Sequence, residues 1–115
     1  MTKWRVGLTS PAERDLVTIL NYTVETYGQR QGRLYRAALK RALRALEAGP
    51  KIRGSASREE LGAGLRSLHM ARTGSRGRHL IIYRSIPDLT IEVLRILHDA
   101  MDLGQHVTPY GDDQP

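Results

Sequence analysis

Four histidines (His69, His79, His98 and His106), four of the arginines in the C-terminal half (Arg66, Arg78, Arg84 and Arg95) and the adjacent pair His98-Asp99 are the groups with the most chemistry to offer. A histidine beside a carboxylate has the form of an acid–base pair. The competing reading is structural, because such a residue at a strand end more often orders the chain around it. The histidines never recur at i,i+3 or i,i+4 spacing and no acidic residues cluster with them, so no metal site is indicated. No cofactor is expected. Cysteine is absent, which removes a thiolate nucleophile, a thiolate metal site and a disulfide framework together.

Charge points to binding. Arg66, Arg84 and Arg95 fall on three successive predicted strands, where they could line one basic patch for a partner's carboxylate. Each could equally lay its stem over the core and put its head in water. A second set, Arg30, Arg33, Arg36, Lys40, Arg41 and Arg44, projects onto one side of a predicted helix, opposite its apolar residues. From Gln29 to Arg58 nine Lys or Arg stand against Glu47 alone, a net +8, whereas the chain from Asp99 onward holds four Asp and no Lys or Arg. Such asymmetry suits an acidic partner, either nucleic acid or an acidic protein segment.

The elements that must position these groups are legible in outline. Residues 4–8 alternate as a short first strand. Ser10 is the expected N-cap of a helix over 11–27, with Pro11 in its first turn and Glu13 completing a capping box. Gly28 stands where a helix end wants positive φ, and a second helix is predicted over 31–48, stopped by Gly49-Pro50. Residues 51–64 read as a polar loop with one helical turn near 58–61. Strands are predicted over 65–70, 79–84 and 90–97, joined as antiparallel hairpins by short turn-rich connections, the last at Pro87-Asp88. The expected fold is α+β in the order β-αα-βββ, a small antiparallel sheet with a helical hairpin packed on it. A chain of 115 residues with 40% hydrophobic and 26% charged residues supports one globular domain, expected over 1–108, with 109–115 as a flexible tail. No apolar run approaches a membrane span and Met1-Thr-Lys-Trp-Arg is no signal sequence, so a cytoplasmic location is expected.

With those elements in place the chain resembles the ParE toxins of the RelE/ParE superfamily of type II toxin–antitoxin systems. The resemblance is carried by the opening strand, Ala12-Glu-Arg-Asp-Leu16 with Ile19 and Tyr22, and Tyr35 to Leu46 before Gly49-Pro50. It continues through Gly64-Leu-Arg-Ser-Leu68, Gly77-Arg-His-Leu-Ile-Ile-Tyr-Arg84 and Val93-Leu-Arg-Ile-Leu-His-Asp-Ala-Met-Asp102, and spans roughly residues 3 to 107. It implies an adjacently encoded ParD-like antitoxin whose C-terminal segment wraps the toxin, a hetero-oligomeric complex, and DNA gyrase as target. Arg33, Arg36, Arg44, Arg66, Arg84 and Arg95 are then the candidate antitoxin-binding residues, by helix-in-groove docking or strand addition.

The other branch implied by the resemblance, RelE-like ribosome-dependent mRNA interferases, needs cations on the scissile phosphate and groups that exchange protons near it. A basic pair and a late tyrosine are expected there, just past the last strand. This chain instead reads Asp99-Ala-Met-Asp-Leu103, whose two carboxylates would repel a phosphate, and Tyr110 between Pro109 and Gly111 is its one late tyrosine. The sequence therefore favours a toxin that acts by binding, with no catalytic residue assigned.

Overall fold

In the computed structural model, which describes residues 3–101 and 103, helix α1 spans Ser10–Tyr27 and α2 spans Gln29–Ala45. Thr9, not Ser10, is the N-cap of α1, its side chain accepting from the Ala12 amide at 3.2 Å. The reason is tertiary. The Thr9 amide donates to the Val93 carbonyl and its hydroxyl to the Leu94 carbonyl at 3.0 Å, so the sheet already holds Thr9 extended, as an N-cap must be. Gly28, at φ 96°, closes α1 through its amide to the Val24 carbonyl and opens α2 directly. One residue at positive φ thus folds the helices back as a hairpin. They approach closely because Gly32 lacks a side chain: a Cβ there would sit 2.4 Å from Val24 Cγ2. The last predicted turn of α2 tightens into a 3₁₀ turn at Leu46–Ala48 and stops at Gly49, φ 125°.

Five strands form one sheet in the order β1-β5-β4-β3-β2: β1 (Arg5–Leu8), β2 (Ser55–Ser57), β3 (Arg66–His69), β4 (His79–Ile86) and β5 (Thr90–His98). β3, β4 and β5 pair antiparallel as expected and β2 adds to them antiparallel, while β1 lies parallel to β5 at the edge, so the sheet is mixed rather than the antiparallel one expected. The parallel pair is reached by the long crossover that the helical hairpin and the other strands provide. β2 occupies part of the stretch read as loop, since Ser55-Ala-Ser pairs with β3 along its backbone ladder and has no apolar period to announce it. The turn expected near 58–61 is present, with Leu61 donating to the Arg58 carbonyl.

The sheet is buried on both faces. Toward the helices lie Leu68, Met70, Ile81, Tyr83, Ile91, Val93 and Ile96, against Ala12, Leu39, Ala42 and Leu46. On the opposite face Leu65, Leu80, Ile82, Leu94 and Leu97 pack with Leu61 and Leu103. Two-sided burial explains why Leu80-Ile-Ile-Tyr83 is a continuous apolar run rather than an alternating one. A bulge between Ile82 and Tyr83 shifts the register with β5, from Tyr83 opposite Val93 to Ile82 opposite Arg95. The expected tail, with Tyr110, and also Asp102 and His106, lie outside the described residues.

Candidate functional site

The three sheet arginines do not meet in one patch. On β3, Arg66 donates Nε to the Pro50 carbonyl at 2.9 Å and Nη2 to the Ser55 hydroxyl at 2.8 Å, fastening edge strand β2 and the end of the helical segment to the sheet. On β4, Arg84 pairs with Glu92 across the β4–β5 ladder at 2.9 Å. On β5, Arg95 forms a two-pronged pair with Asp15 of α1 at 2.7 and 2.9 Å. Asp15 also accepts the Ile96 amide at 2.9 Å. β1 covers the β5 edge only from Thr90 to Val93, so beyond it this carboxylate takes the place of a strand partner. A guanidinium pairs with a carboxylate in this forked geometry more strongly than a neutral donor would.

Arg33, Arg36 and Arg44 lie exposed along α2 with Lys40 between them, and among the described residues none of the three arginines makes an ion pair. Arg41, on the same helix, donates to the Ser75 hydroxyl in the connection between β3 and β4. The opposite side of α2 is buried through Ala38, Leu39 and Ala42. The basic stripe is therefore an outer surface.

The densest polar cluster sits at the corner where β4 begins and β5 ends. His79 and His98 are cross-strand partners there, with rings edge-on at 5.4 Å. Tyr35 reaches across from α2: its hydroxyl accepts the Arg78 amide at 3.1 Å and lies 2.6 Å from His79 Nδ1. With the amide donating inward, the one phenol proton is available to Nδ1 when the His79 ring carries its own proton on Nε2. Burial, then the neighbouring His98, pushes the His79 pKa down to about 4. Burial also raises that of Tyr35. Asp99 is held by Arg78 through Nε and Nη2 at 3.0 Å and by His69 Nε2 at 2.9 Å. Arg78 first and His69 second keep its carboxyl well below the usual range. Asp99 therefore does gather with histidines, but as the acceptor for Arg78 and His69. His98, its sequence neighbour, is 3.6 Å away, and its Nδ1 accepts the Ala100 amide instead at 3.0 Å.

Beside this corner opens a cleft of about 930 Å3, walled by Ile19, Tyr22 and Tyr27 of the hairpin and by Tyr35, Arg78 and His79. Tyr22 and Tyr27 are 61% and 65% exposed, a large aromatic surface to leave in water. The arrangement offers a concave, mostly apolar surface with aromatic walls. Sequence reasoning singled out His98 and Tyr22 but not Asp15, Tyr35 or His79 as a group. Counted outward from the turn, His79 falls opposite residue 97; the bulge moves it opposite His98, and no residue type announces that bulge.

A family model described as ParE toxin of type II toxin-antitoxin system, parDE, matches residues 6–103. The chain is similar to Toxin ParE1 of Mycobacterium tuberculosis, found in two strains, at 32% identity over 103 residues, 90% of this chain and 97% of the relative. Its fold is similar to a solved structure of the chromosomal ParDE toxin–antitoxin system from P. aeruginosa, with TM-score 0.63 and 20% identity over 85% of this chain and 98% of that one. It is also similar to the toxin–antitoxin complex RelBE2 from Mycobacterium tuberculosis, with TM-score 0.54 and 25% identity over 84% and 98% of the two chains.

Proposed function

We propose, from the premise that this chain belongs to the ParE toxin family of type II toxin–antitoxin systems, that it acts by binding DNA gyrase and is neutralised by a ParD-like antitoxin. The observation that carries the binding reading is the engagement of the cations on the sheet. Arg66, Arg84 and Arg95 are each held by partners within the chain, and Asp99 neutralises Arg78 at the corner where a scissile phosphate would need positive charge. The antitoxin contact is then assigned to Arg33, Arg36 and Arg44 on the outer face of α2, with the sheet arginines supporting the fold. An antitoxin segment with apolar side chains and flanking carboxylates would place the former in the cleft and the latter over the stripe. The domain is expected to span residues 1–108 and to form a hetero-oligomer with its antitoxin. Among the described residues no helix is long and apolar enough to cross a membrane, and a gyrase target places the protein's work in the cytoplasm.

The similarity to RelBE2 favours a second reading, a ribosome-dependent mRNA interferase. Purified-component assays of gyrase supercoiling and DNA cleavage, run beside ribosome-programmed mRNA cleavage with and without the protein encoded next to it, separate the two. The expected result is accumulated cleaved DNA with intact mRNA, reversed by the neighbour. Cut mRNA with gyrase unaffected would move the protein to the RelE branch.

A further inference from the structure

Three imidazoles share one arrangement at the sheet corner. His69 Nδ1 accepts the Ala71 amide at 3.1 Å, His98 Nδ1 accepts the Ala100 amide at 3.0 Å, and His79 Nδ1 takes the Tyr35 hydroxyl at 2.6 Å. A ring that accepts on Nδ1 is neutral and carries its proton on Nε2. Together these bonds tie four pieces of chain: α2 through Tyr35, the start of β4 through Arg78 and His79, the turn after β3, and the turn that follows β5. The knot is closed by the Asp99 amide on the Arg78 carbonyl at 2.7 Å.

A second proton on any of these rings faces a donor. At His79 it meets the Tyr35 O–H, which would have to turn away while its oxygen still accepts from Arg78. Around His79, burial and the neighbouring His98 of β5 and His69 of β3 disfavour a cation and outweigh the carboxylates of Asp99 and Asp15, which favour it, with Tyr35 of α2 and Arg78 beside the ring. At His98 a proton on Nδ1 displaces the Ala100 amide and finds Asp99 Oδ1 3.6 Å away, drawing that carboxylate from Arg78. At His69 it displaces the Ala71 amide, while Nε2 stays on Asp99.

We propose that the Tyr35–His79 contact, with His98 packed against it, is an acid-released latch: the neutral His79 imidazole holds the helical hairpin to the sheet end, and its protonation frees Arg78, the 98–101 turn and one wall of the cleft. The depressed His79 value agrees with this, because a ring that resists protonation while the corner is closed makes opening more favourable as protons become available. The device is a property of the toxin chain itself and does not depend on which target it poisons.

Amide hydrogen exchange on the full chain, corrected for intrinsic rates, reads the latch directly. From about pH 7 to about pH 5 the Arg78 and Ala100 amides are expected to lose about tenfold or more in protection while the sheet-interior Ile81 amide keeps its own. His79→Gln, which keeps an acceptor but no longer titrates, should remove the pH dependence at Arg78. Protection that is independent of pH, that falls in step with Ile81, or that still responds in H79Q would overturn the proposal. Imidazole 15N shifts of the unmodified chain add a test that needs no variant: Nε2–H tautomers at His69, His79 and His98 near neutral pH are expected, and an Nδ1–H tautomer at His79 would refute the latch.

Discussion

Asp15 shows how much one side chain can organise. It binds the Arg95 guanidinium with both oxygens and the Ile96 amide with one of them, at a place where β5 has run past the end of β1. Its side chain is 15% exposed and that of Arg95 23%, so the pair is screened less than a surface pair. Asp15→Ala takes this carboxylate from a partly buried guanidinium and from the Ile96 amide, and should lower unfolding stability by about 2 kcal/mol, read by urea denaturation. A loss no larger than that of a neutral surface substitution would show that β5 does not need this clamp. His79 gives a second residue-scale expectation, with a sign that follows from its lowered pKa. The folded ring titrates near 4 and the unfolded one near its ordinary 6.5, so the unfolded chain binds the extra proton between those values. The stability this site contributes is full above about 6.5 and is lost as pH falls through 4, by about 1–2 kcal/mol after allowing for solvent screening at a half-buried ring. Denaturation midpoints followed over that window should drop for the native chain and less steeply for His79→Gln. Parallel curves would remove His79 as the cause.

At the scale of elements, the β4–β5 hairpin turns through Pro87, Asp88 and Leu89, with Asp88 at φ 68° and Leu89 at φ 51°. Aspartate tolerates the left-handed region, but leucine does so at a cost. Leu89 is 46% exposed, and its carbonyl accepts the Arg5 amide that starts β1. Replacing Asp88-Leu89 by Asn-Gly supplies the residues such a turn prefers and keeps that carbonyl, so stability should rise by about 0.5–1 kcal/mol in thermal unfolding. A decrease would show that the Leu89 side chain contributes more than its backbone strain costs. The hairpin was legible because its strands are apolar runs bounded by Pro87-Asp88, and the helices because their apolar residues recur at helical spacing before Gly28 and Gly49. Three things were not. Ser55-Ala-Ser57 pairs through its backbone and has no period to read. Thr9 took the cap from Ser10 because of bonds to Val93 and Leu94, residues far along the chain. The bulge that sets His79 against His98, and so creates the corner, arises where Leu94 and Arg95 must serve opposite demands, one in the far-face core and the other on Asp15 of α1. Local composition carries little of such long-range detail.

At the scale of the whole molecule, the formal charge of +6 is unevenly placed, with Arg33, Arg36, Lys40 and Arg44 exposed along α2, the helix whose Tyr35 also lines the cleft. Exposed single charges add little to folding stability. Their summed field, by contrast, reaches about 10 Å at moderate salt and draws an acidic chain toward the cleft before any contact forms. Arg33→Glu, Arg36→Glu and Arg44→Glu together reduce the formal net charge from +6 to zero without touching the buried side of α2. If this surface captures an acidic antitoxin segment, stopped-flow association with the antitoxin should slow by about ten- to a hundredfold at low salt, and the native and triply substituted curves should converge as salt is raised. Unfolding stability should change by no more than about 0.5 kcal/mol, since all three positions are exposed. A faster dissociation rate as well would place one or more of these arginines in the final contact rather than only in the approach. An association rate unchanged at every salt concentration would mean that the basic stripe is a solvated face and that the antitoxin is captured through the cleft alone.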